Sequence, residues 1–190
     1  TEHMFFEAHR LLAVREMIFA ENSAAREKAL SKIKPYQKDD FKGIFKAMKG
    51  KPVNIRLLDP PLHEFMPHTQ AEKKELAEVL GINVKQINER EGQLHEFNPM
   101  LGHRGCRLGV TYPEIYRMQV EAIVEAAIEC SQEGHEVHPE IMIPLVAIDQ
   151  ELSVLRQQAQ MVIDRLFDKY QHRIKYKIGT MIELPRAAVT

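Results

Sequence analysis

An α/β fold built on a parallel sheet is the prediction for this chain, and three observations carry it. Strand-type and helix-type hydrophobic periodicities alternate along the sequence, which is the pattern of βα units. The helical segments are long and amphipathic, whereas the strand segments are short apolar runs. One of these runs, "HPEIMIPLV" (138–146), is nearly continuous, as expected of a strand covered on both faces.

In chain order, a short strand is expected around Met4–Phe6. "EAHRLLAVREMIFAE" (7–21) then places Leu11, Leu12, Val14, Met17 and Ile18 on a helical stripe. A Lys-rich helical stretch follows and ends near Gly50. Its basic run from Arg26 to Lys51 is interrupted by Glu27, Asp39 and Asp40, and it reads as a solvated outer face. A strand spans 53–58. In "HTQAEKKELAEVLG", Thr69 and Glu72 have capping-box spacing and Gly81 is the stop signal of the helix. Another short helix is expected from Asn83 to Gly92.

"HRGCRLG" (103–109) reads as a strand end and loop. "TYPEIYRMQVEAIVEAAIECSQEG" is the clearest helix, with Thr111 and Glu114 as a capping box and Ile115, Met118, Ala122, Ile123, Ala126 and Cys130 on one face. After strand 138–146, Asp149 is placed to cap a helix striped by Leu152, Leu155, Ala159, Val162, Ile163, Leu166 and Phe167. "YKIGTMIEL" (176–184) is a further strand, and "PRAAVT" starts a helix with Pro185 in its first turn. Five strands result. "LHEF" occurs at 62–65 and 94–97, but the flanks differ and it is not a repeat.

Composition narrows the function. The chain has 190 residues, 44% hydrophobic and 28% charged, which suits one folded domain. A net charge of -1 and a pI near 6.7 give no basic footprint for nucleic acid. Two cysteines, Cys106 and Cys130, form no disulfide framework, and a reducing, cytoplasmic setting is the expectation. No apolar run approaches the roughly 20 residues of a membrane helix, so no membrane partner is expected. The chain opens without a lead-in and stops a few residues into a helix, and is read as a piece of something longer.

Ligands of parallel α/β proteins bind at the carboxyl ends of the strands. Those ends carry Arg56 and Asp59, then His103, Arg104 and Arg107, then Glu183. Arg56 within an apolar strand needs a partner, either a protein carboxylate such as Asp59 or Glu183, or a bound anion. Arginine forks hold phosphate and carboxylate oxygens bidentately, and a carboxylate on the same rim is best reconciled with an anion by a bridging Mg²⁺. His63, His68, His95 and His103 lack zinc-site spacing, and Cys106 reads as a packed thiol despite its arginine neighbours. Walker A, GxGxxG and GxSxG patterns are absent.

Longer motifs carry a resemblance. "TEHMFF", "RLLDPPLHEF", "NPMLGHRGCRLGVTYPEI", "PEIMIPLV" and "IGTMIELPRAA" closely resemble the C-terminal phosphoenolpyruvate/pyruvate-binding domain of the pyruvate, phosphate dikinase family, in the same order from Thr1 to Thr190. The resemblance implies a parallel (β/α)8 TIM-barrel fold, of which residues 1–190 cover about the first five βα units. It implies Arg56 as a binder of the substrate phosphoryl group, Arg104 as a further arginine on the same rim, and Glu183 as a Mg²⁺ ligand that also contacts substrate.

It further implies a reaction interconverting ATP, phosphate and pyruvate with AMP, diphosphate and phosphoenolpyruvate. The expected partners are a swivelling phosphohistidine domain and an ATP-grasp domain elsewhere in the same polypeptide, and a second copy in a homodimer. An arginine just before Thr1, a "GTNDL" segment with the second metal carboxylate and a proton-donating cysteine would lie outside the piece, so no catalytic set is complete within it and alone it is expected to be inactive. A phosphoenolpyruvate synthase-like enzyme and a non-catalytic scaffold or oligomerisation half-barrel are the alternatives.

Overall fold

Val53 and Ile55 are buried while Asn54 between them is exposed, the period-two alternation that makes Pro52–Arg56 a strand with one covered face (β1). The computed structural model describes residues 1–95 and 97–189, with the side chains of Ala8, His9 and Pro99 set aside. Among the described residues, β1 pairs in parallel with β2 (His138–Ile143), and β2 with β3 (Lys177–Thr180), in the order β1-β2-β3. Ile55 stands opposite Ile141, which stands opposite Ile178.

The helices before and between the strands are α1 (Glu2–Phe6), α2 (Ala8–Phe19), α3 (Ser23–Met48), α4 (Gln70–Leu80), α5 (Val84–Leu94), α6 (Gly105–Thr111), α7 (Pro113–Gln132) and α8 (Asp149–Tyr170). The long ones form a single layer. Lys34 reaches Glu121 (2.8 Å) and Glu125 (3.1 Å), Lys38 reaches Glu129 (2.8 Å), and Lys42 reaches Glu129 (2.9 Å) and Glu133 (3.2 Å). The sequence offset stays at 87 or 91 throughout, so α3 and α7 run in the same direction. On the other side of α7, Arg165 pairs with Glu121 and Lys169 with Glu125 (3.8 Å), so α8 runs parallel to α7 as well. The Lys-rich run is therefore more than a solvated face: lysines four residues apart, Lys34, Lys38 and Lys42, fasten α3 to its neighbour.

Beneath this seam the apolar stripes meet. Ile33, Phe41 and Phe45 of α3, Ile123, Ala126 and Cys130 of α7, and Leu155, Val162 and Ile163 of α8 are buried in one core with the covered strand face. At about 25 cal/mol per Å² of apolar surface, this shared core rather than the ion pairs holds the layer to the sheet. Leu12, placed on the α2 stripe by periodicity, is instead 39% exposed, while Val14, Met17 and Ile18 are buried.

Local signals decide several boundaries as expected. Thr69 and Glu72 form a complete capping box, and Gly81 closes α4 at φ 67°. Asn83 and Gln86 form a second box at α5, at the start expected from the sequence. Other expectations are corrected. Met4–Phe6 lies in helix α1, and residues 105–111 form helix α6, so three strands and not five are present among the described residues.

Thr111 is the last residue of α6, with its hydroxyl donating to the Arg107 carbonyl (3.0 Å), so it cannot cap α7. Pro113 sets the first turn of α7, and Glu114 is held by Arg26 (2.5 Å). Asp149 sits inside the first turn of α8, and Glu151 reaches back to the N–H groups of Ala147 (2.8 Å) and Ile148 (3.3 Å). Strand 138–146 shortens to β2 and alternates in burial instead of being covered twice. Strand 176–184 shortens to β3, which is half-exposed because one of its edges is unpaired among the described residues. "PRAAV" is a single 3-10 turn, and Thr190 lies outside the described residues.

Candidate functional site

The carboxyl ends of β1 and β2 lie side by side, and the chain leaves both through loops whose backbone groups are claimed by other elements. After Arg56, the Leu57 N–H still donates to the Met142 carbonyl (2.9 Å). The Leu58 N–H then donates to Gln119 Oε1 (2.8 Å), and the Tyr116 hydroxyl donates to the Leu58 carbonyl (2.9 Å). Two side chains of α7 thus replace the sheet ladder where it ends, which fixes the path to Asp59.

Asp59 is where the arginines meet. Its Oδ1 accepts from Arg104 Nε (3.2 Å) and its Oδ2 from Arg104 Nη2 (2.6 Å), a two-pronged pairing. Arg56 Nη1 stands 3.3 Å from the same Oδ2, and Arg56 Nη2 stands 3.2 Å from Glu2 Oε1. The Asp59 side chain is 3% exposed, Arg104 16% and Arg56 36%, so the carboxylate is buried, Arg104 is largely covered and Arg56 is the more open of the two. Two cations sharing one carboxylate would repel each other; the charge of Asp59 between them offsets that repulsion.

Arg56 is accordingly ion-paired within the protein, as one of the two sequence readings allowed, and it still keeps an open side. Arg104 does not end a strand. It is the N-cap residue of α6 with extended backbone (φ -147°). Arg107, on the opposite side of that turn, donates to the carbonyls of Met100 (3.2 Å) and Gly102 (2.8 Å) and fastens the preceding loop. The ring of His103 lies 5.5 Å from that of Tyr112.

Glu2 was not singled out from the sequence, because an acidic residue in "TEHMFF" has no local pattern to distinguish it. Tertiary packing brings it in: Phe6 stacks on Phe65 (4.6 Å), Phe5 meets Phe65 edge-on (6.2 Å), and the Thr1 hydroxyl donates to the Arg56 carbonyl (2.9 Å). The "LHEF" turn after the double proline is thus the dock for α1. Against the desolvation that burial brings, a hydrogen bond from its own backbone N–H, the Thr1 amino group and Arg56 together hold the Glu2 carboxyl below its ordinary range.

Glu183 is in the loop after β3, exposed, with Oε1 accepting the Leu145 N–H at 2.7 Å. Leu145, buried, has a left-handed backbone (φ 62°). Its carbonyl accepts the Cys106 thiol (3.1 Å), the Pro144 carbonyl accepts the Cys106 N–H (3.1 Å), and the Gly105 N–H donates to the Asp59 carbonyl (3.0 Å). Cys106 is a packed thiol, as its sequence context suggested, and burial pushes its pKa up to about 12. The three strand ends are therefore joined by one continuous set of hydrogen bonds.

Among the described residues, no group of three or more His, Cys, Asp or Glu is gathered so as to hold a metal ion. Glu183 is a single accessible carboxylate with one oxygen fixed by a peptide N–H. That fits Mg²⁺, which is commonly held by one or two protein carboxylates with the remaining positions filled by substrate oxygens and water. His63 and His95 have ring centres 6.4 Å apart.

Residues 1–190 match the family model described as PEP-utilising enzyme, PEP-binding domain. Among curated proteins, the chain is 51% identical over 191 residues to pyruvate, phosphate dikinase of Clostridium symbiosum, covering 100% of this chain and 22% of that protein. It is 54% identical over 189 residues to pyruvate, phosphate dikinase of Giardia intestinalis (100% and 21%) and 52% identical over 190 residues to that of Rhizobium meliloti (100% and 21%). The chain spans about a fifth of the length of these relatives.

Proposed function

The chain belongs to the PEP-utilising enzyme family, whose PEP-binding domain it matches from residue 1 to 190, and we propose that it forms part of the phosphoenolpyruvate/pyruvate site of a pyruvate, phosphate dikinase. The whole enzyme would interconvert ATP, phosphate and pyruvate with AMP, diphosphate and phosphoenolpyruvate. The observation that carries this reading is the pair of arginines, Arg56 and Arg104, held by the buried Asp59 at the carboxyl end of a parallel sheet.

In this reading the sheet is part of a (β/α)8 barrel. Strand order equals chain order, and α3, α7 and α8 lie in one parallel layer, whereas a doubly wound sheet reverses its order and carries helices on both faces. Arg56 and Arg104 bind the anionic end of the substrate. The planar donor fork of a guanidinium matches the oxygens of a phosphate or carboxylate. Asp59 and Glu2 set where the guanidinium groups point, which lowers the ordering cost on binding.

Glu183 is the residue that holds Mg²⁺. The ion, when bound, supplies a divalent charge for the anionic oxygens of the substrate. The Leu145 N–H keeps the Glu183 carboxylate at a fixed height above the strand ends. Phosphoryl transfer relies on positioning and charge neutralisation more than on covalent help from the protein, and these five side chains suit that task. A phosphohistidine-bearing domain and an ATP-binding domain in the same polypeptide, a homodimer and a cytoplasmic setting complete the proposal. No helix among the described residues is long and apolar enough to cross a membrane. The relatives above bear the dikinase name, and a phosphoenolpyruvate synthase-like or purely scaffolding role is not favoured.

The test is titration calorimetry with phosphoenolpyruvate and Mg²⁺ on the parent protein and on Arg56→Ala and Glu183→Ala. Binding in the parent with at least a tenfold loss in each variant supports the site; equal binding in all three, or none in the parent, refutes it.

A further inference from the structure

Leu145 combines two features that rarely coincide in a branched, buried residue. Its backbone is left-handed (φ 62°), a conformation that side chains with a Cβ adopt at a cost, and its side chain is fully enclosed. Such an outlier persists only where the surroundings over-determine it, and it points toward function when it lies at a site. Every group of this residue is engaged with a different part of the rim. Its N–H holds Glu183 Oε1 (2.7 Å), and its C=O holds the Cys106 thiol (3.1 Å). Its side chain fills the space over Gly105, where a Cβ would come within 2.7 Å of Leu145 Cβ and 3.0 Å of Asp59 Oδ1.

We infer that Leu145 is a positioning residue that couples the Glu183 carboxylate to the Arg56–Asp59–Arg104 cluster. The inference rests on the functional reading above and deepens it. In the left-handed conformation the Leu145 N–H projects toward Glu183 while its side chain closes onto the turn that carries Arg104. In the ordinary extended or helical conformation the same peptide would turn away, and Glu183 would lose the hydrogen bond from the Leu145 N–H. This loop ties the Glu183 carboxylate to the turn that carries Arg104, so it holds the separation of an anion site and a cation site constant. A substrate that must engage both at once needs that separation fixed.

Backbone preference and stability can be set against each other here. Leu145→Ile retains bulk but disfavours positive φ, so it turns the N–H away. Leu145→Gly adopts positive φ freely and keeps the N–H, yet it loses the packed side chain. Coupling predicts a crossed result in the intact protein. The glycine variant has the lower Tm but holds Mg²⁺ in the presence of phosphoenolpyruvate within about threefold of the parent, while the isoleucine variant loses at least tenfold. Cys106→Ala, which keeps the Leu145 backbone and side chain but removes the thiol contact to its carbonyl, loses two- to fivefold and serves if the isoleucine variant does not fold. A merely structural residue would give Mg²⁺ affinities ranked by Tm, with glycine worst and Cys106→Ala unchanged, and that ranking overturns the inference. Absence of binding in the parent overturns instead the reading on which it rests.

Discussion

Asp59 grips Arg104 through both carboxylate oxygens, at 3.2 Å from Nε and 2.6 Å from Nη2, while lying almost wholly out of solvent. The pairing converts a buried acid and a rim arginine into a rigid platform, and it also holds Arg56 by a second contact at 3.3 Å. Asp59→Asn keeps the shape but removes the charge, leaving two guanidinium groups facing each other across a neutral amide. The expected outcome is a loss of about 1–3 kcal/mol of stability in urea denaturation, together with weaker phosphoenolpyruvate binding. Unchanged affinity would show that Arg104 is oriented by something else.

Gly105 occupies positive φ (56°) directly between Asp59 and Leu145. Gly105→Ala places a methyl 2.7 Å from Leu145 Cβ and strains the backbone at the same time. A destabilisation of roughly 1–3 kcal/mol is expected, with anion binding impaired beyond what the stability loss explains. Thermal unfolding and phosphoenolpyruvate titration of the same variant measure the two effects separately.

Arg26 and Glu114 form a buried pair at 2.5 Å, with the guanidinium also 4.1 Å from the centre of the Tyr112 ring. Glu114→Ala strands the arginine in the interface between α3 and α7 and should cost roughly 3–5 kcal/mol. Replacing both residues by apolar side chains of similar volume should recover most of it. Denaturant midpoints of the two singles and the double decide whether the pair acts as a unit.

The ladder between α3 and α7 sets a pH window. The side-chain bond from Glu129 raises Lys42, and bonds to Glu121 and Glu125 raise Lys34 against desolvation, both above 10.5. Lys46 and Lys42 lower Glu133, and Lys38 and Lys42 lower Glu129 against desolvation, both below 4.5. The lysine contribution is complete below the unfolded value of 10.5 and lost as pH rises through the higher folded values. The glutamate contribution is complete above 4.5 and lost as pH falls through the lower folded values. Stability should therefore plateau between about pH 5 and 10 and fall on both sides. Glu129→Gln should flatten the acid limb of the urea midpoint plotted against pH.

The Cys106 thiol, pushed up to about 12 and bonded to the Leu145 carbonyl, is protonated and enclosed at pH 8. Alkylation by iodoacetamide is expected to be at least tenfold slower in the folded protein than in urea. Fast modification under native conditions would mean that the loop opens readily.

By itself the sequence determined α2 to α5, α7 and α8, the parallel βα order and the three strands, because periodicity, caps and strand order are local quantities, and it singled out Arg56, Arg104 and Glu183 as candidates. Thr69–Glu72 with Gly81, and the stripe from Leu155 to Phe167, are examples in which neighbouring residues alone specify the element. The family motifs were equally legible, being contiguous in the chain.

Only the tertiary structure decided the rest. Met4–Phe6 and residues 105–111 have apolar runs that suit a strand or a helix, and packing against Phe65 and against Tyr116 made both helical. Thr111 and Glu114 had the spacing of a cap, but the end of α6 and the distant Arg26 claimed them first. Asp59 could be named from the sequence as a partner of Arg56, but Glu2, from a distant segment, could not, and Leu145 owes its role to a backbone angle. Charge pairing and peptide orientation at the rim depend on residues brought together from five separate segments, and distance along the chain carries no record of that proximity.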